Sequence, residues 1–298
     1  MVNKAKEWKH AKIKDVVVIG IGGSYLGVRT GVEMLGENLK FNIHWIFNLS
    51  NDYIVSEIKK LVNKPFGIIV ISKSGTTLEP AITFNLFRKL LTKNTKNVNK
   101  LIVAITDKQK GTLHNLATKN KWTTFSIPNN VGGRYSTLTP VGMFLFILLG
   151  FDYKQIIKGA IDAAKKFNNS NLKTNDASVY ACYRHYLKVF KHNQIENFIV
   201  YSPSLLMLGE TYKQLFGESE GKKHRALYPT TSLFTSDLHS VGQYLQDGTR
   251  NFFETTLFIN KLKHDLVLDI NNDEDKLKYL NGKSYNICLD IKGNKIDS

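Results

Sequence analysis

Residues 67–80 read Gly-Ile-Ile-Val-Ile-Ser-Lys-Ser-Gly-Thr-Thr-Leu-Glu-Pro, an apolar run followed by a hydroxyl-rich segment. The apolar run, 68–71, consists of β-branched residues without alternation, which is typical of a strand buried on both faces of a parallel sheet. Polar residues follow at once, and a helical pattern then continues to about Thr92 with Pro80 in its first turn. The stretch predicts a strand, a hydroxyl-rich turn and a helix.

The turn at residues 72–77 has the composition of an anion site. The first N–H groups of a helix have no partner within it, and the helix dipole favours negative charge there. Gly75 lets the backbone approach a ligand, and Lys73 adds a positive charge. Hydroxyl donors are supplied by Ser72, Ser74, Thr76 and Thr77. We predict a phosphate-binding loop; the alternative is a plain turn whose Ser and Thr residues only cap the helix.

A glycine-rich turn follows another β-branched run at residues 16–19. Residues 20–27 read Gly-Ile-Gly-Gly-Ser-Tyr-Leu-Gly, so Gly23 and Ser24 could present amide and hydroxyl groups to a sugar phosphate. A nucleotide-binding oxidoreductase is the alternative. That class would have a glycine where Tyr25 stands and an acidic residue after the second strand, where residues 47–49 are Phe-Asn-Leu. The sequence favours the sugar phosphate.

Strand and helix patterns alternate along the first half of the chain. Further strands are predicted at 42–48 and 100–106, and helices at 51–63, 111–120 and, fully apolar, 141–151. This order predicts a doubly wound parallel sheet, in which ligands bind outside the carboxyl ends of the strands. Helices are predicted over 151–192 with a polar linker at 168–175, and a strand at 197–201 followed by a helix to Phe216 begins a second α/β unit.

The charge, the apolar runs and the cysteine spacing argue against a nucleic-acid-binding protein, a membrane protein and a metal site. The 298 residues carry a net charge of +16, but the lysines are scattered and asparagine is abundant, so compositional bias explains the charge better than a nucleic-acid face does. No apolar run reaches the roughly 18 residues of a membrane span, and residues 1–14 lack the apolar core of a signal peptide. Cys182 and Cys288 are far apart, which predicts reduced thiols in a cytoplasmic protein and no metal site.

Three residues are candidates for catalytic roles, one as an oxyanion stabiliser and two in acid–base chemistry. Arg134 follows two glycines in Val-Gly-Gly-Arg-Tyr-Ser at 131–136 and could stabilise an oxyanion. Glu218 lies near a glycine at the end of the second unit's helix, where it could act as a general base. His239 can exchange a proton near neutral pH. The alternatives are a surface arginine, solvated charges at Glu218 and Glu220, and a capping or core histidine.

Five blocks of this sequence, taken together, resemble bacterial glucose-6-phosphate isomerase in content and order. They are Ile-Gly-Gly-Ser at 21–24, Ser-Lys-Ser-Gly-Thr-Thr at 72–77, Val-Gly-Gly-Arg-Tyr-Ser at 131–136, Gly-Glu-Ser-Glu-Gly-Lys at 217–222 and Asp-Leu-His-Ser at 237–240. The third block is the most specific. The resemblance covers nearly the whole chain from about residue 12 and implies two sugar-isomerase (SIS) domains, at 12–167 and 176–298.

The resemblance implies a role for each matched residue. The phosphate would be held by Ser72, Ser74, Thr76 and Thr77 with Lys73 alongside, and the sugar by Gly23, Ser24 and Gln214. Arg134 would stabilise the enediolate, and Glu218 would move the proton between C2 and C1. His239 would assist ring opening and, as in the family, reach the neighbouring subunit's active site, which implies a homodimer. No cofactor, metal, nucleic acid or membrane partner is expected.

The chain also departs from the family's pattern at its two ends. Members begin with a further helical segment and end with a block resembling Gln-x-Gly-Val-Glu-x-x-Lys, and neither is recognised here. We therefore expect a truncated isomerase with an incomplete second domain. The alternative functions are a non-catalytic sugar-phosphate-binding SIS-domain protein, which would not need Glu218 or His239, and an inactive fragment.

Overall fold

A computed structural model describes residues 1–11, 13–260, 264, 266–272 and 274–285. The ten helices of these residues are α1 (Val2–His10), α2 (Leu26–Leu35), α3 (Asn51–Leu61), α4 (Leu78–Asn94), α5 (Thr112–Lys119), α6 (Pro140–Leu149), α7 (Tyr153–Phe167), α8 (Asp176–Val189), α9 (Leu206–Glu220) and α10 (Gly242–Asp247). The strands are β1 (Asp15–Ile19), β2 (Asn42–Ile46), β3 (Phe66–Ile71), β4 (Ile102–Thr106), β5 (Thr123–Ser126), β6 (Ile195–Val200), β7 (Tyr228–Leu233) and β8 (Phe252–Thr256).

The first half of the chain forms a five-stranded parallel sheet in the order β2-β1-β3-β4-β5. Every residue of β1, β3 and β4 is buried. The edge strand β2 combines buried residues with exposed or half-buried ones, and the edge strand β5 alternates half-buried with exposed residues. The unbroken apolar runs therefore belong to the central strands, as predicted, and the doubly wound α/β fold is confirmed.

The register of the sheet brings three strand ends together. Ile19 pairs with Val70, and Ile71 pairs with Ile105 on the next strand. The turns that follow β1, β3 and β4 therefore share one edge of the sheet, the carboxyl edge where such folds bind ligands.

Helix α6 is the central element of the apolar core. Its only residue that is not buried is the first, Pro140, because the helix is apolar on all sides and packs inside the molecule. The Thr139 hydroxyl caps its start by accepting a hydrogen bond from the Val141 N–H, and Gly150 ends it in the left-handed conformation.

A helix precedes the first strand, where the sequence analysis recognises none. Helix α1 forms because Ala5 and Trp8 lie on one of its faces and bury against the core. The Trp8 ring packs edge-on against Phe144 at 5.8 Å, and its indole N–H donates to the Lys100 carbonyl at 3.0 Å. The sequence pattern did not indicate this helix, because charged residues between these two anchors conceal the apolar face.

The second sheet has three parallel strands in the order β7-β6-β8. Only β6 corresponds to a strand that was predicted from the sequence; β7 and β8 were not predicted. Helix α9 packs on this sheet and also against α2 of the first unit. At that contact the Thr30 hydroxyl donates to the Met207 carbonyl at 2.6 Å and lies 2.8 Å from the Thr211 hydroxyl. The two sheets are thus joined through α2 and α9.

Within the described residues, the structure has no helix with the length and apolar character needed to cross a membrane.

Candidate active site

The predicted phosphate loop connects β3 to α4 and is held in shape by its own hydroxyls. The buried Ser72 accepts a hydrogen bond from the Gly75 N–H at 3.0 Å, and Ser74 Oγ accepts one from the Thr76 N–H at 3.2 Å. Gly75 has φ of +74°, and a Cβ there would lie 2.2 Å from the Leu113 backbone nitrogen. Because a hydroxyl that accepts keeps its own hydrogen, Ser72 can still donate to a ligand.

This loop forms one wall of an open cavity of about 490 Å³ at the carboxyl edge of the first sheet. Five predicted residues line it: Ser24, Ser72, Lys73, Ser74 and Thr77. Thr76 is not among the lining residues; its hydroxyl donates to Ser74 Oγ at 2.9 Å. The residues Asp107, Lys110 and Gly111 also line the cavity, and the sequence analysis missed them because nothing marked the turn after β4 as part of the site.

The amino group of Lys73 donates its hydrogen bonds to residues outside the phosphate loop. Its Nζ donates to the main-chain carbonyls of Asn129, Val131 and Pro128 at 2.9, 3.3 and 3.4 Å. These carbonyls belong to the segment that leads into Gly132 and Arg134. Lys73 therefore joins the phosphate loop to the segment that carries the arginine.

Arg134 and Glu218 are brought together from distant parts of the sequence. The Arg134 Nη1 lies 3.4 Å from Glu218 Oε2, and the Gln214 amide donates to Glu218 Oε1 at 2.8 Å. Gln214 and Glu218 lie one turn apart on α9, so the helix presents both side chains on one face. The Glu218 side chain is 51% exposed, so it is held by hydrogen bonds at an accessible position rather than enclosed in an apolar pocket.

Two residues that the sequence analysis quoted without assigning a role fix the plane of the Arg134 guanidinium. Ser219 Oγ accepts a hydrogen bond from Arg134 Nε at 2.8 Å, and the guanidinium lies 4.6 Å from the centre of the Tyr135 ring. The Tyr135 hydroxyl also contacts Ser219 Oγ, at 2.9 Å. The hydrogen bond with Ser219 and then the one with Arg134 lower the pKa of Tyr135. Arg134 is thus a fixed group and not a free surface arginine.

The glycine turn after β1 packs directly under this arginine. A Cβ on Gly23 would lie 2.1 Å from the Gly133 carbonyl oxygen, and one on Gly22 would lie 2.8 Å from the Gln214 amide nitrogen. The two backbones approach this closely because Gly23 carries no side chain at the contact. Gly23 therefore contributes close backbone packing next to Arg134.

A buried ionic cluster anchors the end of α9 that carries Glu218. The Arg184 guanidinium donates to Glu196 at 2.6 Å and to Glu220 at 2.6 Å, so Glu220 is not simply a solvated charge. Burial acts to raise the pKa of the fully buried Glu196, but hydrogen bonds from groups including Tyr180 and Arg184 outweigh it and the net shift is downward. Burial and that contact raise the pKa of Tyr180 to about 12.

His239 lies apart from the cavity. It is an exposed residue at the end of a short 3₁₀ turn, Asp237–His239, which follows β7, and it is not among the cavity-lining residues. Cys182 is a free, exposed thiol on α8, whereas Cys288 lies outside the described residues.

Most of the chain is similar to known proteins. The family profile described as phosphoglucose isomerase matches residues 3–257. A glucose-6-phosphate isomerase from Mycoplasmoides gallisepticum is 46% identical over 293 residues, which cover 95% of this chain and 68% of the relative. This chain therefore spans about two thirds of that relative's length.

Two solved structures share the fold. A glucose-6-phosphate isomerase from Chlamydia trachomatis superposes with a TM-score of 0.84 at 22% identity, over 99% of this chain and 58% of that one. A tagatose-6-phosphate ketose/aldose isomerase from Escherichia coli superposes with a TM-score of 0.55 at 14% identity, over 86% of this chain and 65% of that one.

The parallel sheets with flanking helices define an α/β protein with the fold that these two structures share. The profile match and the identity to the M. gallisepticum relative are more specific: this chain belongs to the phosphoglucose isomerase family.

Proposed function

We propose that this chain is an aldose–ketose isomerase that interconverts glucose 6-phosphate and fructose 6-phosphate through a cis-enediol intermediate. The observation that carries the proposal is the pairing of Arg134 with Glu218, together with the hydrogen bonds by which Lys73 of the phosphate loop holds the segment leading to Arg134. The name of the relative at 46% identity supports the choice of substrate. A phosphate anchor, a base and an oxyanion stabiliser are the groups that this proton transfer needs.

The phosphate anchor is the loop after β3. Ser72, Ser74, Thr76 and Thr77 hold the phosphate, Thr76 through its hydrogen bonds to Ser74 Oγ, with Lys73 in the same loop. Gly23 and Ser24 contact the sugar. Anchoring one end of the substrate fixes the distance between its reacting carbons and α9, which removes much of the entropic cost of the reaction.

Glu218 and Arg134 then act on the reacting carbons. The Glu218 carboxylate takes the proton from C2, the C–H electron pair forms the C1–C2 double bond, and the C1 oxygen becomes the enediolate oxygen next to Arg134. The O2 proton moves to O1, and Glu218 returns its proton to C1, which leaves the ketone at C2. Gln214 orients Glu218 and touches the substrate. The net change is an internal proton relocation without redox change, so the proposal invokes no cofactor.

His239 assists ring opening in this proposal. The family resemblance assigns it to the active site of a second copy, which makes the functional unit a homodimer, and the exposed position of His239 is compatible with such a contact. The two sugar-isomerase domains are assigned to 12–167 and 176–298, which contain the five-stranded and three-stranded sheets respectively. The cytoplasm, where sugar phosphates occur, is the proposed location.

Conversion of fructose 6-phosphate to glucose 6-phosphate by the purified chain, followed by nuclear magnetic resonance, tests the proposal. Formation of glucose 6-phosphate is the expected result. Binding of the sugar phosphate without conversion would replace the proposal by that of a non-catalytic sugar-phosphate-binding protein or an inactive fragment. If there is neither binding nor conversion, the assignment of the phosphate loop is wrong as well.

A further inference from the structure

Lys73, the lysine of the phosphate loop, donates its hydrogen bonds to main-chain carbonyls outside the loop. An ammonium group has three N–H donors, and Lys73 Nζ makes contacts to three main-chain carbonyls, of Pro128, Asn129 and Val131. A donor already bonded to a carbonyl is not available to a phosphate oxygen. Lys73 can therefore support the bound phosphate only through its charge at a distance.

A second lysine lines the same cavity. Lys110 lies in the turn between β4 and α5, which is docked onto the phosphate loop at several points. The Asp107 N–H donates to the Lys73 carbonyl at 3.3 Å, and the Thr112 N–H donates to the Ser74 carbonyl at 3.1 Å. A Cβ on Gly111, whose φ is +104°, would lie 2.6 Å from the Ser74 carbonyl oxygen. The turn that carries Lys110 is therefore fixed against the loop.

Asp107, the nearest acidic residue in this turn, has its carboxylate directed at backbone amides. Its Oδ1 accepts hydrogen bonds from the Gln109 N–H at 2.8 Å and the Lys110 N–H at 3.1 Å. These hydrogen bonds hold the pKa of Asp107 below its ordinary value. Within the described part of the chain, no salt bridge holds the exposed Lys110 side chain, so its ammonium group is available to a ligand in the cavity.

We propose that Lys110 supplies the positive charge that binds the substrate phosphate, and that Lys73 is a positioning residue that holds the segment leading to Arg134. This assignment rests on the proposed function, which supplies the substrate. The motif at 72–77 suggests that Lys73 binds the phosphate, whereas here Lys110 binds it and Lys73 positions the segment before Arg134. A cation at the phosphate end stabilises substrate and transition state equally, whereas displacement of Arg134 affects the transition state most.

Lys110→Met, Lys110→Arg and the control Lys108→Met test the first half of the proposal. Lys108 is an exposed lysine two residues away that does not line the cavity. The dissociation constant of inorganic phosphate, measured by titration calorimetry, is expected to rise about tenfold for Lys110→Met, because a charge-assisted hydrogen bond is lost. It should stay within about twofold of the parent for Lys110→Arg, which keeps the charge, and for Lys108→Met.

Unchanged phosphate binding in Lys110→Met, or equal weakening in Lys108→Met, would overturn the assignment of Lys110. So would an unmodified chain that does not bind phosphate. Because calorimetry needs no turnover, a chain that binds phosphate through Lys110 yet fails to isomerise would contradict the proposed function and leave this inference standing.

Lys73→Met and Lys73→Arg test the second half. We expect Lys73→Met to lower kcat at least about tenfold, because the segment before Arg134 loses its contacts, while phosphate binding stays within about twofold. Lys73→Arg, which keeps a multiple donor, should restore part of kcat. Thermal melting checks that each variant is folded. Loss of phosphate binding in both variants with kcat unchanged would contradict the positioning role.

Discussion

Arg134 and Glu218 lie 84 residues apart in the sequence, and their contact depends on several weak interactions rather than on one strong ion pair. At 3.4 Å with Glu218 half exposed, the pair alone would contribute little to stability. The hydrogen bond from Arg134 Nε to Ser219 and the stacking on Tyr135 fix the orientation of the guanidinium. A donor that is already oriented stabilises developing charge without reorganisation, which is the requirement for an oxyanion stabiliser.

Ser219→Ala removes the acceptor of Arg134 Nε and is expected to lower kcat by about tenfold to a hundredfold, because a hydrogen bond to a charged group is lost. The Michaelis constant for the sugar phosphate should change little, since the phosphate loop is untouched. Steady-state kinetics measures both quantities. Ser219→Thr keeps the hydroxyl and is the matched control; equal activity in the alanine and threonine variants would contradict the role given to Ser219.

At this scale the sequence predicts residue types in sequence motifs but not their long-range partners. Arg134 and Glu218 could be singled out because each stands beside glycines in a block of unusual composition. Ser219 lies inside such a block, yet nothing in the sequence pairs its hydroxyl with an arginine 85 residues away. The carbonyl partners of Lys73 could not be predicted either, because every residue has a main-chain carbonyl and the sequence does not indicate which ones accept the hydrogen bonds.

At the scale of elements, the turn after β1 and the segment before α6 pack backbone against backbone. Gly23 has no room for a Cβ, which would lie 2.1 Å from the Gly133 oxygen. A Cβ on Gly133, by contrast, meets no atom within 4 Å. The contact is therefore asymmetric, and only one of the two glycines is required for steric reasons.

Gly23→Ala is expected to lower the free energy of unfolding by about 1–3 kcal/mol and to impair catalysis, because the added methyl group separates the two segments. Gly133→Ala should change the free energy of unfolding by less than about 0.5 kcal/mol. Urea denaturation measures both. If both variants destabilise the chain equally, the packing described for these two turns is wrong.

Strong apolar patterns account for the elements that could be predicted. The central strands and α6 contain long apolar runs. The helices and turns of the first sheet follow its strands in order along the chain. Strands β7 and β8 escaped prediction because Tyr-Pro-Thr-Thr-Ser-Leu and Phe-Phe-Glu-Thr-Thr are short and partly polar edge strands of a small sheet. Edge strands expose one side and lose the continuous apolar run that marks a buried strand.

At the scale of the whole molecule, the site is built across the two sheets, and apolar surface remains exposed. Helix α7 has no buried residue, and α8 exposes Tyr183, at 64%, and Val189, at 47%. Exposed apolar residues of this kind often form interfaces between subunits. They support the proposed homodimer, in which His239 acts in the partner's site.

Mixing two inactive variants tests that arrangement. Glu218→Gln and His239→Ala each disable every site of their own homodimer. If His239 acts across the interface, a heterodimer contains one intact site, so random exchange of subunits should restore about a quarter of the parent activity by the two-fold symmetry of the dimer. No recovery after confirmed subunit exchange, or a monomer in sedimentation, would contradict the proposal.

In the proposed reaction, Glu218 moves the proton between C2 and C1. The most direct test is the rate at which fructose 6-phosphate exchanges a C1 hydrogen with deuterated water, compared between the parent chain and Glu218→Gln. We expect exchange in the parent and a decrease of roughly 10²–10⁴-fold in the variant, because the general base is lost. Glu210→Gln, on the same helix but paired with Lys213, should exchange at the parent rate. Exchange at the parent rate in Glu218→Gln would show that Glu218 is not the base.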